Sequence, residues 1–526
     1  MIGAGPLGAT ALRPYCHNNP IPNSYLMGLP MKSIKKQKLG FHRNNKRLYI
    51  NAGTITNANL AAGDTVEYVQ DAEGAEWIIQ KSDTGSHTIA STFKGGVVDI
   101  NNRAFTEFFK DYQNVEVISE DGHIIVRGHH AESQIKEREE TLLRRVETGE
   151  PLRKGGAFAG LGLLCRSIHR GIKQSGVAVK QRFANEYNPI PAEVNMAGNE
   201  IWDDATDDAV FSIDDIYTLN MDIVPKLDIL VMGSPCPAFS QANTTLKKEG
   251  KTDIFHPVFG TIFQPILEMI RRSNPAVVVL ENAKFFEGSI FDYIMSDVMA
   301  RYGYEKQSVV VTGQQFGDFE KRERICRVWR SKGLPEINLD SLPFQQENAT
   351  KFGEILEPIA NDDSRWARRE YLEAKDAEAH NGHKYCITSL DAIKVPTCGA
   401  NYHKIQPDSI MIAHPERELI TRIMTPSEHC NLRDIAGPLK ENILAVEKGE
   451  HYAQQGSRGS ISEAHRMLGN SCSPKPWTSV GYRLGEWMQS LTQRMNDVTT
   501  TVTQQVATIT RVEGPCTTEH QLGLFG

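Results

Sequence analysis

Long apolar runs, paired cysteines and a surplus of basic charge are all missing from this sequence, and each absence excludes something. No stretch approaches the ~18 consecutive apolar residues that a membrane span needs, so no membrane partner is expected. The opening MIGAGPLGATALRPYC has no positive leader before an apolar stretch, so it does not read as a secretory signal, and a cytoplasmic location is expected. Nine cysteines are scattered without a Cys-x-x-Cys pair. That argues against a disulfide framework and against a zinc knuckle, and no metal site is expected. A net charge of -7 is not that of a simple nucleic-acid coat, because phosphate binding relies on Lys and Arg. One local basic cluster does run from Lys32 through Lys35, Lys36, Lys38, Arg43 and Lys46 to Arg47, and on charge alone it reads as a solvated flank.

What is present is a chain of 526 residues, too long for one compact core and long enough for several folding units. Residues 1–38 read as a basic lead-in. From 39 to 130, apolar and polar positions alternate between Gly, Asp and Asn turn signals, as in RLYINAG, EWIIQK and HIIVRG, which predicts a small all-β domain. Its halves, INAGTITNANLAAGDTVEYV and DINNRAFTEFFKDYQNVEVI, look alike, so a duplicated barrel is expected. Residues 131–152 predict a connecting helix with Ile135, Leu142 and Val146 on one face. Between 153 and 330 short apolar strands alternate with helical stretches, the pattern of a doubly wound α/β sheet. Residues 331–421 break that pattern and imply an insertion, 422–496 return to it, and 497–526 form a Thr-rich segment that reads as a flexible tail. The GAGPLG at residues 3–8 has dinucleotide-loop spacing, but only Met1 and Ile2 precede it, and Pro14 interrupts the stretch on its far side. Without a strand before and a helix after, it is set aside.

Three predicted strand ends carry chemistry. LDILVMG ends in Ser234-Pro235-Cys236-Pro237, which lifts one thiol out of the carboxyl edge of a parallel sheet, where ligands of such folds bind. Alone, a Pro-Cys pair would be read as a buried structural cysteine. AVVVLENA ends in Glu281-Asn282 at the same edge, and FGDFEKRERICRVW places Arg322 and Arg324 two apart on an expected strand, so both guanidinium groups should point the same way. A thiolate adds well to an electron-poor ring carbon, a carboxyl can hold or protonate a ring nitrogen, and guanidinium groups can orient that carboxyl. The thiol would need nearby positive charge or a helix N-terminus to ionise from its ordinary pKa of ~8.5. A second pocket is predicted at GGAFAGLGLLCRSI, where a glycine-containing turn lets backbone approach a ligand, with Glu186, Asp214 and Asp215 ending the following strands as acceptors for ribose hydroxyls and an adenine amine.

The ordered set AFAGLG, NEYN, DDI, GSPCPAFS, GTIF, LENA, FEKRERI, RIMTPSE and GNS resembles the motif series of DNA (cytosine-5) methyltransferases, over roughly residues 153 to 490. The resemblance implies a Rossmann-like mixed sheet with a smaller target-recognition domain, held here by residues 331–421, and duplex DNA as substrate. It implies S-adenosylmethionine as methyl donor, contacted by Phe158, Ala159, Gly160, Leu161, Gly162, Glu186, Asp215, Pro235, Asn470 and Ser471. It implies Cys236 as nucleophile, with Glu281, Arg322 and Arg324 as its catalytic companions on a flipped base. A monomer of bacterial, plasmid or phage origin and a link to restriction and modification are implied by the same likeness. Four positions depart from the pattern: Gly156, Leu163, Ala283 and Glu320, the last placing a negative charge near Arg322 and Arg324 where glutamine is usual. A transfer-RNA cytosine methyltransferase and a DNA-binding regulator that has lost the reaction are the alternatives. The INAG and DINN halves also resemble the swapped-hairpin DNA-binding modules of bacterial transition-state regulators, implying added DNA affinity. At the C-terminus, Gln521, Leu522, Leu524 and Phe525 resemble the short peptide by which bacterial replication proteins dock on the sliding clamp.

Overall fold

In the computed structural model, residues 32–71, 73–235, 248–377, 385–406, 409–454 and 459–492 are described. Cys236, Gln521, Leu522, Leu524 and Phe525 lie outside them. The chain divides into two compact units between Ser133 and Gln134. Among the described residues, no helix is long and apolar enough to cross a membrane.

The N-terminal unit is built twice from one pattern. After the short β2 (Gly40–His42), its first half is β3 (Asn45–Ile50), helix α1 (Ala52–Asn57), β4 (Thr65–Asp71) and β5 (Glu76–Lys81); after the short β6 (His87–Thr88) and β7 (Ala90–Thr92), its second is β8 (Gly95–Ile100), α2 (Arg103–Phe108), β9 (Asn114–Glu120) and β10 (His123–Gly128). Each helix starts on an asparagine whose side chain accepts a backbone N–H three residues on, Asn51 from Thr54 at 3.1 Å and Asn102 from Phe105 at 2.8 Å. The two halves pair antiparallel through β3 with β8 and β5 with β10. They close on one core that includes Leu48, Ile50, Trp77, Ile100, Phe105 and Val126. The unit is therefore not purely β, because each repeat carries a short helix. A second correction concerns the lead-in: residues 33–38 form β1 (Ser33–Lys38), which pairs residue for residue with β9. SIKKQK is exposed at five of six positions, so backbone ladder bonds rather than apolar alternation define this strand. The basic cluster is also not one solvated flank. Lys46 donates to the carbonyls of Phe109, Lys110 and Tyr112, and Arg47 forms a bidentate pair with Asp99. Lys35, Lys36 and Lys38 remain exposed.

Helix α3 (His130–Thr148) leads into the second unit. It is more than a connector. Arg138, on its buried face beside Leu142, donates to the carbonyls of Tyr302 and Gly303 and to Ser331 Oγ, and its guanidinium lies 3.7 Å from the ring centre of Tyr304.

The second unit is organised around seven strands: β11 (Leu152–Ala157), β12 (Val179–Glu186), β13 (Ala205–Ile213), β14 (Ile229–Gly233), β15 (Val277–Ala283), β16 (Tyr304–Val311) and β17 (Arg324–Ser331). They form one sheet in the order β13-β12-β11-β14-β15-β17-β16. The first five are parallel; β17 runs antiparallel to both β15 and β16, which makes the sheet mixed. Apolar runs such as Ile229–Met232 and Val277–Leu280 are fully buried because helices cover both faces. Helix α4 (Leu163–Gln174) returns the chain from β11 to β12 on one side, whereas β14 lies on the other. The strand order thus reverses between β11 and β14, the position at which sheets of this kind form a crevice outside their carboxyl ends. The region 331–421 contributes strands Ala367–Arg368, Ile387–Thr388 and Met411–Ala413 to a small sheet completed by Ile420–Arg422. It does not close on a core of its own: Phe352, Val395, Cys398, Tyr402 and Ile412 pack with Phe319, Met424 and Leu432 from the flanking chain.

Candidate functional site

The loop after β11 is shaped by three residues with positive φ: Phe158 at 55°, Gly160 at 51° and Gly162 at 76°. A bulky residue such as Phe158 in that region stores strain of about 1–3 kcal/mol, which the surroundings must hold in place. They do so from α5 (Pro189–Gly198) and the residue after it. Asn195 Nδ2 donates to the Gly160 carbonyl at 3.0 Å, and Asn199 Nδ2 to that of Leu161 at 3.2 Å. A side chain at Gly162 would overlap those amides, with a Cβ only 2.4 Å from Asn199 Nδ2. Gly156 is similarly required, since a Cβ there would stand 2.6 Å from Cys165 Sγ, leaving no room for the acidic residue usual in the motif. Leu163, in place of a glycine, is buried in the core.

Glu186, the last residue of β12, faces this loop. Its Oε2 accepts the Gly160 N–H at 2.8 Å and its Oε1 accepts that of Asn188 at 3.0 Å. Burial raises its pKa, opposed by these backbone donors. The neighbouring Tyr187 is 69% exposed, an aromatic face beside the loop. Asp214 and Asp215 come after β13; Asp215 Oδ1 accepts from Tyr217 N at 3.1 Å, and Asp214 Oδ1 accepts from Thr218 Oγ1 at 2.9 Å. Phe158, Ala159, Gly160, Leu161, Gly162 and Glu186 thus form one local cluster. Asn195, Asn199 and Tyr187 were not singled out from sequence; the only signal was two asparagines one helical turn apart after NEYN.

On the other side of the crevice, β14 ends at Gly233 and continues through the buried Ser234 to the half-buried Pro235. Asn282 Nδ2 donates to Ser234 Oγ at 2.7 Å, fixing the chain just before Cys236, which lies outside the described residues. Gly233 and Glu281 are register partners on β14 and β15, and a Cβ on Gly233 would lie 3.7 Å from Glu281 Oε2 and 3.8 Å from the Phe158 carbonyl. Glu281 and the glycine loop therefore line the same crevice. Arg324, first residue of β17, sits opposite Ala283, and its Nε donates to Glu281 Oε1 at 2.7 Å. Both side chains remain partly exposed, at 19% and 16%.

The expectation that Arg322 and Arg324 share a strand face is corrected. Arg322 precedes β17, with φ 35°, and its side chain is buried. It donates to the Cys398 carbonyl at 3.2 Å and to the Gly469 carbonyl at 2.8 Å. Burial, with Arg433 and Arg324 close by, pushes its pKa below that of a free guanidinium. Glu320 also differs from expectation, because it does not sit as a loose negative charge. It is 2% exposed, forms a 2.5 Å ion pair with Arg433 and accepts the Cys398 N–H at 2.6 Å. Arg433 donates in turn to the Cys398 carbonyl at 2.9 Å. Nearby, Asp318 is pushed up to about 7 by burial, despite Lys475 at 3.6 Å.

Gly469-Asn470-Ser471 ends the helix Ile461–Asn470. Gly469 allows that helix to lie against Gly399, whose carbonyl oxygen would be 2.3 Å from a Cβ. Ser471 Oγ donates to the Met467 carbonyl at 2.9 Å, while Asn470 is exposed. Among the described cysteines, Cys165, Cys326, Cys398, Cys430 and Cys472 are buried and burial raises each thiol's pKa, Cys326 to about 12. None of these five is poised as a nucleophile.

Comparison with known proteins gives this arrangement a context. A family model described as C-5 cytosine-specific DNA methylase matches residues 165–484. Type II methyltransferase M1.ScrFI of Lactococcus lactis subsp. cremoris is 27% identical over 322 residues, 59% of this chain and 75% of that protein. Type II methyltransferase M.HpaII of Haemophilus parainfluenzae is 31% identical over 262 residues, 45% of this chain and 70% of that one. Among solved structures, the S. pombe Dnmt2 methyltransferase is similar with a TM-score of 0.48 and 18% identity, over 65% of this chain and 99% of that one.

Proposed function

The chain belongs to the C-5 cytosine-specific DNA methylase family, and from that premise we propose that it methylates carbon 5 of a cytosine at a specific duplex DNA site through a transient covalent bond to Cys236, with the target base turned out of the helix. The observation that carries this reading is the Glu281–Arg324 pair at the crevice rim, beside Gly233, three residues before Cys236.

S-adenosylmethionine supplies an electrophilic methyl group when bound. The residues of the crevice fit it. A Cβ on Gly160 would meet nothing within 4 Å, so open space lies above the loop. The Glu186 carboxylate accepts backbone N–H groups of Gly160, Asn188 and Tyr187 and, with about four lone-pair sites, keeps capacity for a ribose hydroxyl. The exposed Tyr187 offers a face for an adenine ring. Phe158, Ala159, Leu161, Gly162, Asp215, Pro235, Asn470 and Ser471 complete the proposed contacts.

In the proposed reaction the Cys236 sulfur adds to cytosine carbon 6, and the displaced electron pair moves toward ring nitrogen 3, where Glu281 holds a proton. Arg324 positions Glu281. Carbon 5, now nucleophilic, takes the methyl group. Loss of the carbon 5 proton to a base, expulsion of the sulfur and return of the ring nitrogen 3 proton to Glu281 restore the aromatic ring and the free thiolate. Base flipping costs a few kcal/mol of unstacking, recovered from contacts to the extruded base.

Target choice is assigned to residues 331–421, and the Type II names of the relatives extend to a modification role for this chain. Exposed Lys35, Lys36 and Lys38 on β1 would add sequence-independent attraction to phosphates. The segment Gln521, Leu522, Leu524, Phe525 is proposed to dock on a sliding clamp and tether the enzyme near newly made DNA. Transfer of tritium from labelled S-adenosylmethionine tests the function. Incorporation into duplex DNA is expected; incorporation only into transfer RNA would assign the alternative substrate, and DNA binding without incorporation would point to a regulator.

A further inference from the structure

The N-terminal unit holds a side-chain cluster that methyl transfer does not use. Glu116, in the middle of β9, is 7% exposed although it is a carboxylate. It is register partner to Arg127 on β10, whose Nε donates to Glu116 Oε2 at 3.0 Å. Two residues on, the chain presents adjacent histidines. His130 Nδ1 lies 2.9 Å from Glu116 Oε1. His129 Nδ1 receives only a long contact, 3.4 Å, from Ala131 N. The two imidazole rings have centroids 4.6 Å apart and are tilted by 34°. One ligand atom from each of Glu116, His129 and His130 lies within 4.8 Å of the other two.

We propose that Glu116, His129 and His130 form a binding site for a divalent transition-metal ion of the zinc, cobalt or nickel class. Two imidazole nitrogens and one carboxylate oxygen are the donor set these ions take, whereas calcium and magnesium prefer oxygen alone. Three protein ligands leave a further position for water. Bonds of ~2.0–2.2 Å place tetrahedral ligand atoms roughly 3.3–3.6 Å apart. The cluster reaches that spacing by turning the His130 ring, whose side chain is 68% exposed and gives the ion a path in.

The backbone already holds the ligands together. His129 N donates to the Asn114 carbonyl at 3.1 Å, and the His129 carbonyl accepts from Glu132 N and Ser133 N at 2.8 and 3.0 Å. A bound ion would therefore pin the first residues of α3 to β9. Arg127 competes with it, because its guanidinium occupies Glu116 Oε2 and repels a dication. The cluster contains no cysteine pair; its ligands are a strand glutamate and two histidines 13 and 14 residues further on.

The test uses the full-length protein, freed of metal by a chelator and kept reduced, titrated with Ni²⁺ or Co²⁺ by calorimetry. The wild type is expected to bind one ion more per chain than the His129→Ala/His130→Ala variant. His130→Ala, an exposed position that should leave the fold intact, is expected to weaken that ion about tenfold or more, as is Glu116→Gln. Arg127→Gln is expected to strengthen it, a gain that a damaged fold would not produce. Equal stoichiometry and affinity in the wild type and the double variant would overturn the proposal, as would weaker binding by Arg127→Gln with its thermal midpoint in chelator unchanged.

Discussion

Arg324 opens β17 with its guanidinium on Glu281 at the rim of the crevice, whereas Arg322, two residues earlier, is turned inward onto the carbonyls of Cys398 and Gly469. Two apart on a continuous strand, they would share a face. The left-handed backbone at Arg322 breaks that relation before the strand begins. One side of the motif meets Glu281 at the carboxyl end of the sheet, where the proposed reaction would hold the base, and the other clamps segments distant in sequence to the end of the sheet. The same division separates the two carboxylates. The Glu281 side chain stays partly exposed beside Arg324, while Glu320 is used up by Arg433 and Cys398 N.

The largest expected effects fall on the exposed side. Glu281→Gln should lower kcat by roughly 10²–10⁴, the range for loss of a positioned acid, with the urea midpoint near that of the wild type. Arg324→Ala should shift activity in the same direction. Arg322→Ala should instead lose stability and activity together, since it removes the arginine donor from the Gly469 carbonyl and one of the two on the Cys398 carbonyl. An Arg322→Ala protein that is fully stable yet inactive would erase the distinction between the two arginines.

Next comes the buried pair. Replacing Arg433 by Met takes the ion-pair partner from Glu320, which is 2% exposed, so unfolding by urea should show a loss of about 3–5 kcal/mol. A smaller effect is expected at Asp318. Its folded pKa of about 7 lies above the ordinary carboxylate value, so its stabilising contribution is full below about pH 4 and is lost as pH rises through about 7. Asp318→Asn should flatten the fall in thermal midpoint between those limits and raise the midpoint at pH 8; an unchanged profile would remove Asp318 from the account. The smallest effect on catalysis is expected at the C-terminus, where Leu524→Ala with Phe525→Ala should leave methylation of free oligonucleotides unaltered while abolishing clamp binding measured by calorimetry.

What could be read from the sequence was whatever depends on local pattern. The buried runs Ile229–Met232 and Val277–Leu280 declare parallel strands, and the glycines between β11 and α4 declare the tight turn that joins them. What could not be read depends on distant partners. The strand β1 exists because β9 offers it a ladder, not because SIKKQK alternates. Asn195 and Asn199 matter only because the loop folds back beneath them. Residues 331–421 resist reading because their core is completed by Phe319, Met424 and Leu432 from outside the segment. Arg322 reads as sharing a strand face with Arg324 because its positive φ leaves no trace in the sequence.

The central claim, a covalent bond between Cys236 and cytosine during methyl transfer, is tested most directly by incubating the protein with S-adenosylmethionine and duplex DNA carrying 5-fluorocytosine, whose carbon 5 substituent cannot leave as a proton. A complex that survives denaturation should form with the wild type and be absent from Cys236→Ala, which should still bind DNA. No stable complex with the wild type on DNA that it methylates in unmodified form, or an equally stable complex with Cys236→Ala, would contradict the account.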